Sequence, residues 1–152
     1  MAAAAWKLYD SFKNHMGSNI LDLNGGNFDL HLFKSGTNAS DFTLSAYTSI
    51  TVEVSSVNGY IKAGKAMVVS WITGDNASQQ RWDMADIIWT ATGGVISAVL
   101  YAVIVARTGA SAKDPVNKLV GWSKLSTLKF DLAGTNTLTI STPANDGIFE
   151  MA

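Results

Sequence analysis

The chain has 152 residues, 11 Lys and Arg against 12 Asp and Glu, and no cysteine. That length can bury a core without a disulfide, metal or cofactor as an obligatory staple, and the absence of cysteine excludes a disulfide framework, a thiolate metal site and a cysteine nucleophile. Net charge is near zero and the basic residues are scattered, which argues against the basic stripe that phosphate binding requires, so nucleic acid is not an expected partner.

Charged residues make up 15% of the chain and hydrophobic ones 47%. Much neutral and apolar surface must then be exposed or covered by other subunits, which points to a protein that works in an assembly. The N-terminus, MAAAAWKLYDSFKNHM, has no basic region followed by a long apolar core and does not read as a secretory signal. Residues 1–16 are expected to form a short N-terminal helix or an extended arm: Ala-rich helix formers carry Trp6, Tyr9 and Phe12 at a spacing of three, along one face. A second helical turn is expected within Leu44–Ile50.

From residue 17 to 152, short β-type segments recur between Gly, Asn, Asp and Thr clusters that act as turns. Expected strands are Ile20–Leu23, Phe28–Lys34, Thr51–Val54, Ala66–Thr73, Gln79–Asp83, Ile87–Ala91, Val95–Ala106, Lys118–Leu125, Leu138–Ser141 and Ile148–Met151. Phe28, Leu30 and Leu32 alternate with Asp29 and His31, and Leu138 and Ile140 alternate with Thr137, Thr139 and Ser141. Such alternation predicts strands with one core face and one wet face. The stretch Thr108–Val116 is the expected surface loop, with the turn-forming pair Asp114-Pro115. The pattern predicts an all-β domain, an antiparallel β-sandwich of jelly-roll-like kind.

The most apolar stretch is DIIWTATGGVISAVLYAVIVART, residues 86–108. A membrane-spanning helix needs about 20 apolar residues, whereas Gly93 and Gly94 cut this run, and its many β-branched residues favour a pleated sheet. It is expected to form a hairpin, with Trp89 and Val95 on paired strands and Val95–Ala106 a long central strand. No membrane partner is expected.

Catalytic and metal-binding patterns are weak. His15 and His31 lack any His-x-x-x-His spacing, so a site with Asp22 or Asp29 is not supported; there is no Gly-x-Ser-x-Gly elbow for a triad. Asp83 and Asp86, in RWDMADIIW, are better read as marking a turn between strands than as a glycosidase pair. NGGN at 24–27 is expected to join two strands, not to cradle phosphate. No catalytic residue, cofactor or metal is expected. Of Trp6, Trp71, Trp82, Trp89 and Trp122, at least three are expected in the core, Trp71 and Trp89 foremost, with Trp6 meeting a partner. Exposed indoles would instead suit a carbohydrate-binding module.

Four blocks in order, WKLYDSFKNHMGSNILDL, YTSITVEVSSVNGYIKAGKAM, WDMADIIWTATGGVISAVLYAVIV and GIFEMA, span nearly the whole chain. In these the chain resembles a family of small virion proteins of tailed bacteriophages. It departs from the family at Gly64-Lys65, where a Gly-Gly is usual, and at Leu100, where an Arg is usual. The resemblance implies a non-enzymatic capsid decoration or cement protein on the outer surface of the head, often a homotrimer, with the major capsid protein as partner. A tail or baseplate component is the alternative it leaves open. Under that role the expected capsid or subunit contacts are Trp6, Tyr9 and Phe12 of the N-terminal segment, Thr37 and Asn38 of the loop Gly36–Asp41, and Ser111 and Lys113 of the loop Gly109–Asp114.

Overall fold

The computed structural model describes residues 4–24, 27–73, 79–107, 117–143 and 147–151. Strand β1 (Lys7–Leu8) leads into helix α1 (Asp10–Gly17), then β2 (Phe28–Lys34), a 3-10 turn at Tyr47–Ser49, β3 (Lys65–Ala66), β4 (Val69–Thr73) and β5 (Gln80–Met84). There follow β6 (Ile87–Thr90), β7 (Ile96–Ala106), β8 (Lys118–Lys124), β9 (Phe130–Leu132), β10 (Thr137–Ile140) and β11 (Phe149–Met151). The fold is all-β and sandwich-like, and its strand pairs are antiparallel.

One layer is a sheet in the order β1-β8-β7-β2-β3, with β9 on the far end of β7. The other is made of two smaller sheets, β10-β6 and β11-β5-β4. Leu30, Leu32, Ile104 and Val120 of the large sheet pack with Trp82, Met84, Trp89, Leu138 and Ile140 of the small ones in one continuous core. The run Val103, Ile104, Val105 explains why β7 is central. Its odd and even side chains are both buried, one set in the core and the other, Val103 and Val105, on the opposite face with Phe33, Leu119 and Trp122. Each such Val or Ile contributes about 1.5–3 kcal/mol on burial, and a charge at Val103 would break the sheet's centre.

That second face is covered by the chain's own segment 39–50, with Leu44, Tyr47 and Ile50 packed on it. This corrects the expectation for β2. Asp29 and His31 are buried, not wet, and the His31 ring is enclosed by Tyr47, Glu53 and Gly64. Burial raises the Asp29 carboxyl above its ordinary range, opposed by the positive charge of Arg107, 3.5 Å away, and by His31. In β10 the expected alternation holds, with Leu138 and Ile140 inward and Thr137 and Thr139 outward.

Three further expectations are corrected. Trp89 and Val95 do not sit on paired strands: β6 pairs with β10, placing Leu138 opposite Trp89, while β7 lies in the large sheet. The chain crosses between layers at Gly93-Gly94 instead of folding back in a hairpin. Ile20–Leu23 is not a strand, and Thr51–Val54 contributes a single bridge, Glu53 opposite Phe33. The N-terminal helix is shorter than expected, and the segment before it is tied into the large sheet: Lys7 pairs with Trp122, and the Ala4 N–H donates to the Lys124 carbonyl at 3.1 Å. The helical turn expected within Leu44–Ile50 is the 3-10 turn. The expected loop Thr108–Val116 lies outside the described residues.

Candidate functional site

The outer face of β2 carries a buried polar cluster centred on Glu53. His31 Nδ1 lies 2.9 Å from Glu53 Oε1, and both side chains are almost fully enclosed. A carboxylate oxygen only accepts, so Nδ1 bears the imidazole proton. The Tyr60 hydroxyl donates to the same oxygen at 2.8 Å and accepts from the Leu32 amide at 3.0 Å. The Tyr47 hydroxyl donates to the other oxygen, Oε2, and its ring tilts against that of His31 at 4.7 Å. Burial, and after it the adjacent Glu53, push both phenols above their ordinary range. The carboxylate is thus held by three donors from three places in the chain. Such a satisfied network rigidifies what it joins.

What it joins is the loop 57–64 and the large sheet. Tyr60 is anchored at Glu53 and lies 6.3 Å from the Trp89 ring. Gly59, at φ 96°, runs so close to the Thr90 carbonyl that a Cβ would collide with it. Gly64, at φ 75°, covers the His31 ring, where a Cβ would come within 2.7 Å of Nε2. Asn58 accepts from the Thr92 amide at 2.9 Å through its carbonyl and donates from Nδ2 to the Val95 carbonyl at 2.8 Å. Lys65 Nζ donates to the Ile88 carbonyl at 2.6 Å.

Between this loop and β6 lies an open groove of about 410 Å³ lined by Ile61, Lys65, Ile88, Trp89, Thr90 and Thr92 among others. Ile61 is 66% exposed and Ile88 46%. Val57 and Val95 are also exposed, one on each side of the Asn58 bonds. Exposed apolar side chains around a groove are suited to receive an apolar partner. A second hollow, of about 270 Å³, lies between Trp6 and Leu8 at the start of the chain and Ile148 and Phe149 at its end.

The sequence-predicted contacts are placed differently. Trp6, Tyr9 and Phe12 are buried by the chain itself, a correction to the expectation that they face a partner. Phe12 packs edge-on to Phe149 at 5.4 Å, and the Tyr9 hydroxyl donates to the Ala39 carbonyl at 2.6 Å. Thr37 and Asn38 are half-buried and occupied in fastening their loop: Thr37 Oγ1 donates to the Thr51 carbonyl at 2.6 Å, and Asn38 Oδ1 accepts from the Thr51 amide at 2.8 Å. Ser111 and Lys113 lie outside the described residues. Asp86 lies between β5 and β6, but Asp83 lies within β5 and accepts from Thr142 Oγ1.

Four tryptophans, Trp6, Trp82, Trp89 and Trp122, are buried, while Trp71 is half-buried against Phe149, less enclosed than expected. The indoles therefore offer no pair of exposed stacking platforms. Among the described residues no group of three or more His, Asp or Glu could hold a metal ion, and no helix is long and apolar enough to cross a membrane. Sequence reading missed the Glu53 cluster, since its members are spread over positions 31, 47, 53 and 60. The one local hint is a carboxylate flanked by valines, Val52-Glu53-Val54. In comparisons with known proteins the chain matches no family model, no curated protein and no solved structure.

Proposed function

We propose that the chain is a non-enzymatic virion structural protein: a capsid decoration protein that binds the outer surface of an assembled phage head through the Ile61–Ile88 groove. The observation that carries this reading is the meeting of two of the four resemblance blocks at one partly apolar groove. YTSITVEVSSVNGYIKAGKAM supplies Tyr47, Glu53, Tyr60, Ile61 and Gly64, and WDMADIIWTATGGVISAVLYAVIV supplies Ile88, Trp89 and Thr92. Here the residues that carry the resemblance serve to build a surface, as expected of a protein whose work is contact. Binding only the assembled lattice would stabilise that state over any disassembled one.

Electron microscopy of decorated heads tests the reading. Copies in proportion to capsid lattice points, with the groove against the major capsid protein, are the expected result. Ile61→Asp and Ile88→Asp should each weaken decoration by about tenfold or more, since a charge would be desolvated at the contact. Copies confined to the tail, or undiminished decoration by both variants, would overturn it.

A further inference from the structure

β4 (Val69–Thr73) is an outer strand, pairing with β5 alone among the described residues. In that ladder the Ala85 N–H donates to the Val68 carbonyl at 2.9 Å. Main-chain groups alternate in direction along a strand, so Ser70 and Ile72 turn theirs toward β5, while Val69, Trp71 and Thr73 turn theirs away. The far flank of β5 agrees: Trp82, which faces Trp71, gives its carbonyl to the Ile148 N–H at 2.7 Å on the β11 side. Among the described residues the N–H and C=O groups of Val69, Trp71 and Thr73 therefore form an open ladder.

Exposed edges are ordinarily guarded by charge, proline or a bulge. Here the run VVSWIT, residues 68–73, has neither charge nor proline, and β4 pairs with β5 without a register shift. Val68 is 72% exposed, and the Val69 and Trp71 side chains, which pack on the core, remain half-buried at its margin. Among the described residues nothing pairs with the outward main-chain groups of Val69, Trp71 and Thr73; one step earlier on the same flank the Met67 N–H donates to the Phe28 carbonyl of β2 at 2.8 Å.

We infer that β4 is a self-association edge, on which a second copy of the chain pairs its own β4 in antiparallel fashion about a twofold axis at Trp71. The register follows from the ladder. With Trp71 opposite the second copy's Trp71, Val69 meets Thr73 in both directions, and every outward N–H finds an outward C=O. A slip of two residues either way leaves one of the three residues on each copy without a partner. The edge is thus self-complementary and uncharged, and the same patch serves both copies, which closes the assembly at two. The small sheet β11-β5-β4 continues across the axis, and the two Trp71 rings come together over the core margin. The unit is a dimer, in place of the trimer expected from the resemblance, and it does not depend on the virion reading.

Sedimentation velocity of the full chain over a concentration series should show a monomer–dimer equilibrium, and exchange of the Val69, Trp71 and Thr73 amides should slow as the dimer fills. Thr73→Pro removes an outward N–H while sparing the bonds to β5, and Ser70→Lys adds an edge charge. The proline removes one hydrogen bond per copy, so dimerisation should weaken roughly 30-fold, with circular dichroism confirming that the variants fold. A monomer at all concentrations, an oligomer other than a dimer, or a dimer that folded variants leave unchanged overturns the inference. Should neither variant fold, amide exchange of the parent decides: slowing with concentration supports the edge, and concentration-independent exchange overturns it.

Discussion

Glu53 is the residue on which the outer side of the molecule turns. Its side chain has left water, and the hydrogen bonds from His31, Tyr47 and Tyr60 offset that cost. Glu53→Ala would strand those three donors and should lower stability by about 3 kcal/mol in urea unfolding. Tyr60→Phe removes one donor and should cost about 1–2 kcal/mol. The phenols also set the alkaline limb. The Tyr47 and Tyr60 pKa values are raised above the ordinary 10.0, by burial first and Glu53 second, so the folded chain keeps protons that the unfolded chain releases. Their contribution is complete below about pH 10 and is lost as pH rises from there through the folded values. The unfolding free energy of Tyr60→Phe should therefore fall less steeply above pH 10 than that of the parent.

At the scale of elements, composition and alternation identified most strands, because β-branched runs between turn residues report local preference. They could not report pairing. Ile87–Thr90 and Ile96–Ala106 read as two arms of a hairpin, yet they lie in different layers, since partner choice depends on Leu138 and Ile140, about fifty residues on. Two-residue strands such as β1 and β3 carry too little pattern to be read. Likewise the burial of His31 could not be read without knowing that Tyr47, Glu53 and Gly64 would enclose it. The loop 57–64 shows what local chemistry does reveal. Gly64 combines positive φ with close approach to His31, so Gly64→Ala meets both backbone strain and a steric clash. It should cost about 2 kcal/mol or more in urea unfolding and loosen the groove. An added fluorophore on the loop would report that loosening as faster rotational motion.

At the scale of the whole fold, the first and last described segments meet. Blocks one and four of the sequence meet where Trp6 and Leu8 border Ile148 and Phe149, while Phe12 packs against Phe149, so the first turns of chain complete the core that the last strand lines. The N-terminal segment was legible as amphipathic, but the aromatic stripe that could have met a partner instead meets the body of the same chain. Deleting residues 2–12 therefore removes β1 along with the buried Trp6, Tyr9 and Phe12. Losing a buried Trp or Phe side chain costs about 3–5 kcal/mol, and a small domain is stable by only about 5–15 kcal/mol. The truncated chain should lose its cooperative thermal transition, and any loss of binding in it would report unfolding. A truncated chain that melts as the parent does would show that these aromatics lie outside the core. The exposed Ile61 and Ile88, which the fold can lose at little cost, are the positions where a contact defect separates from a folding defect: their Asp variants should keep the parent's melting temperature within a few degrees while binding falls.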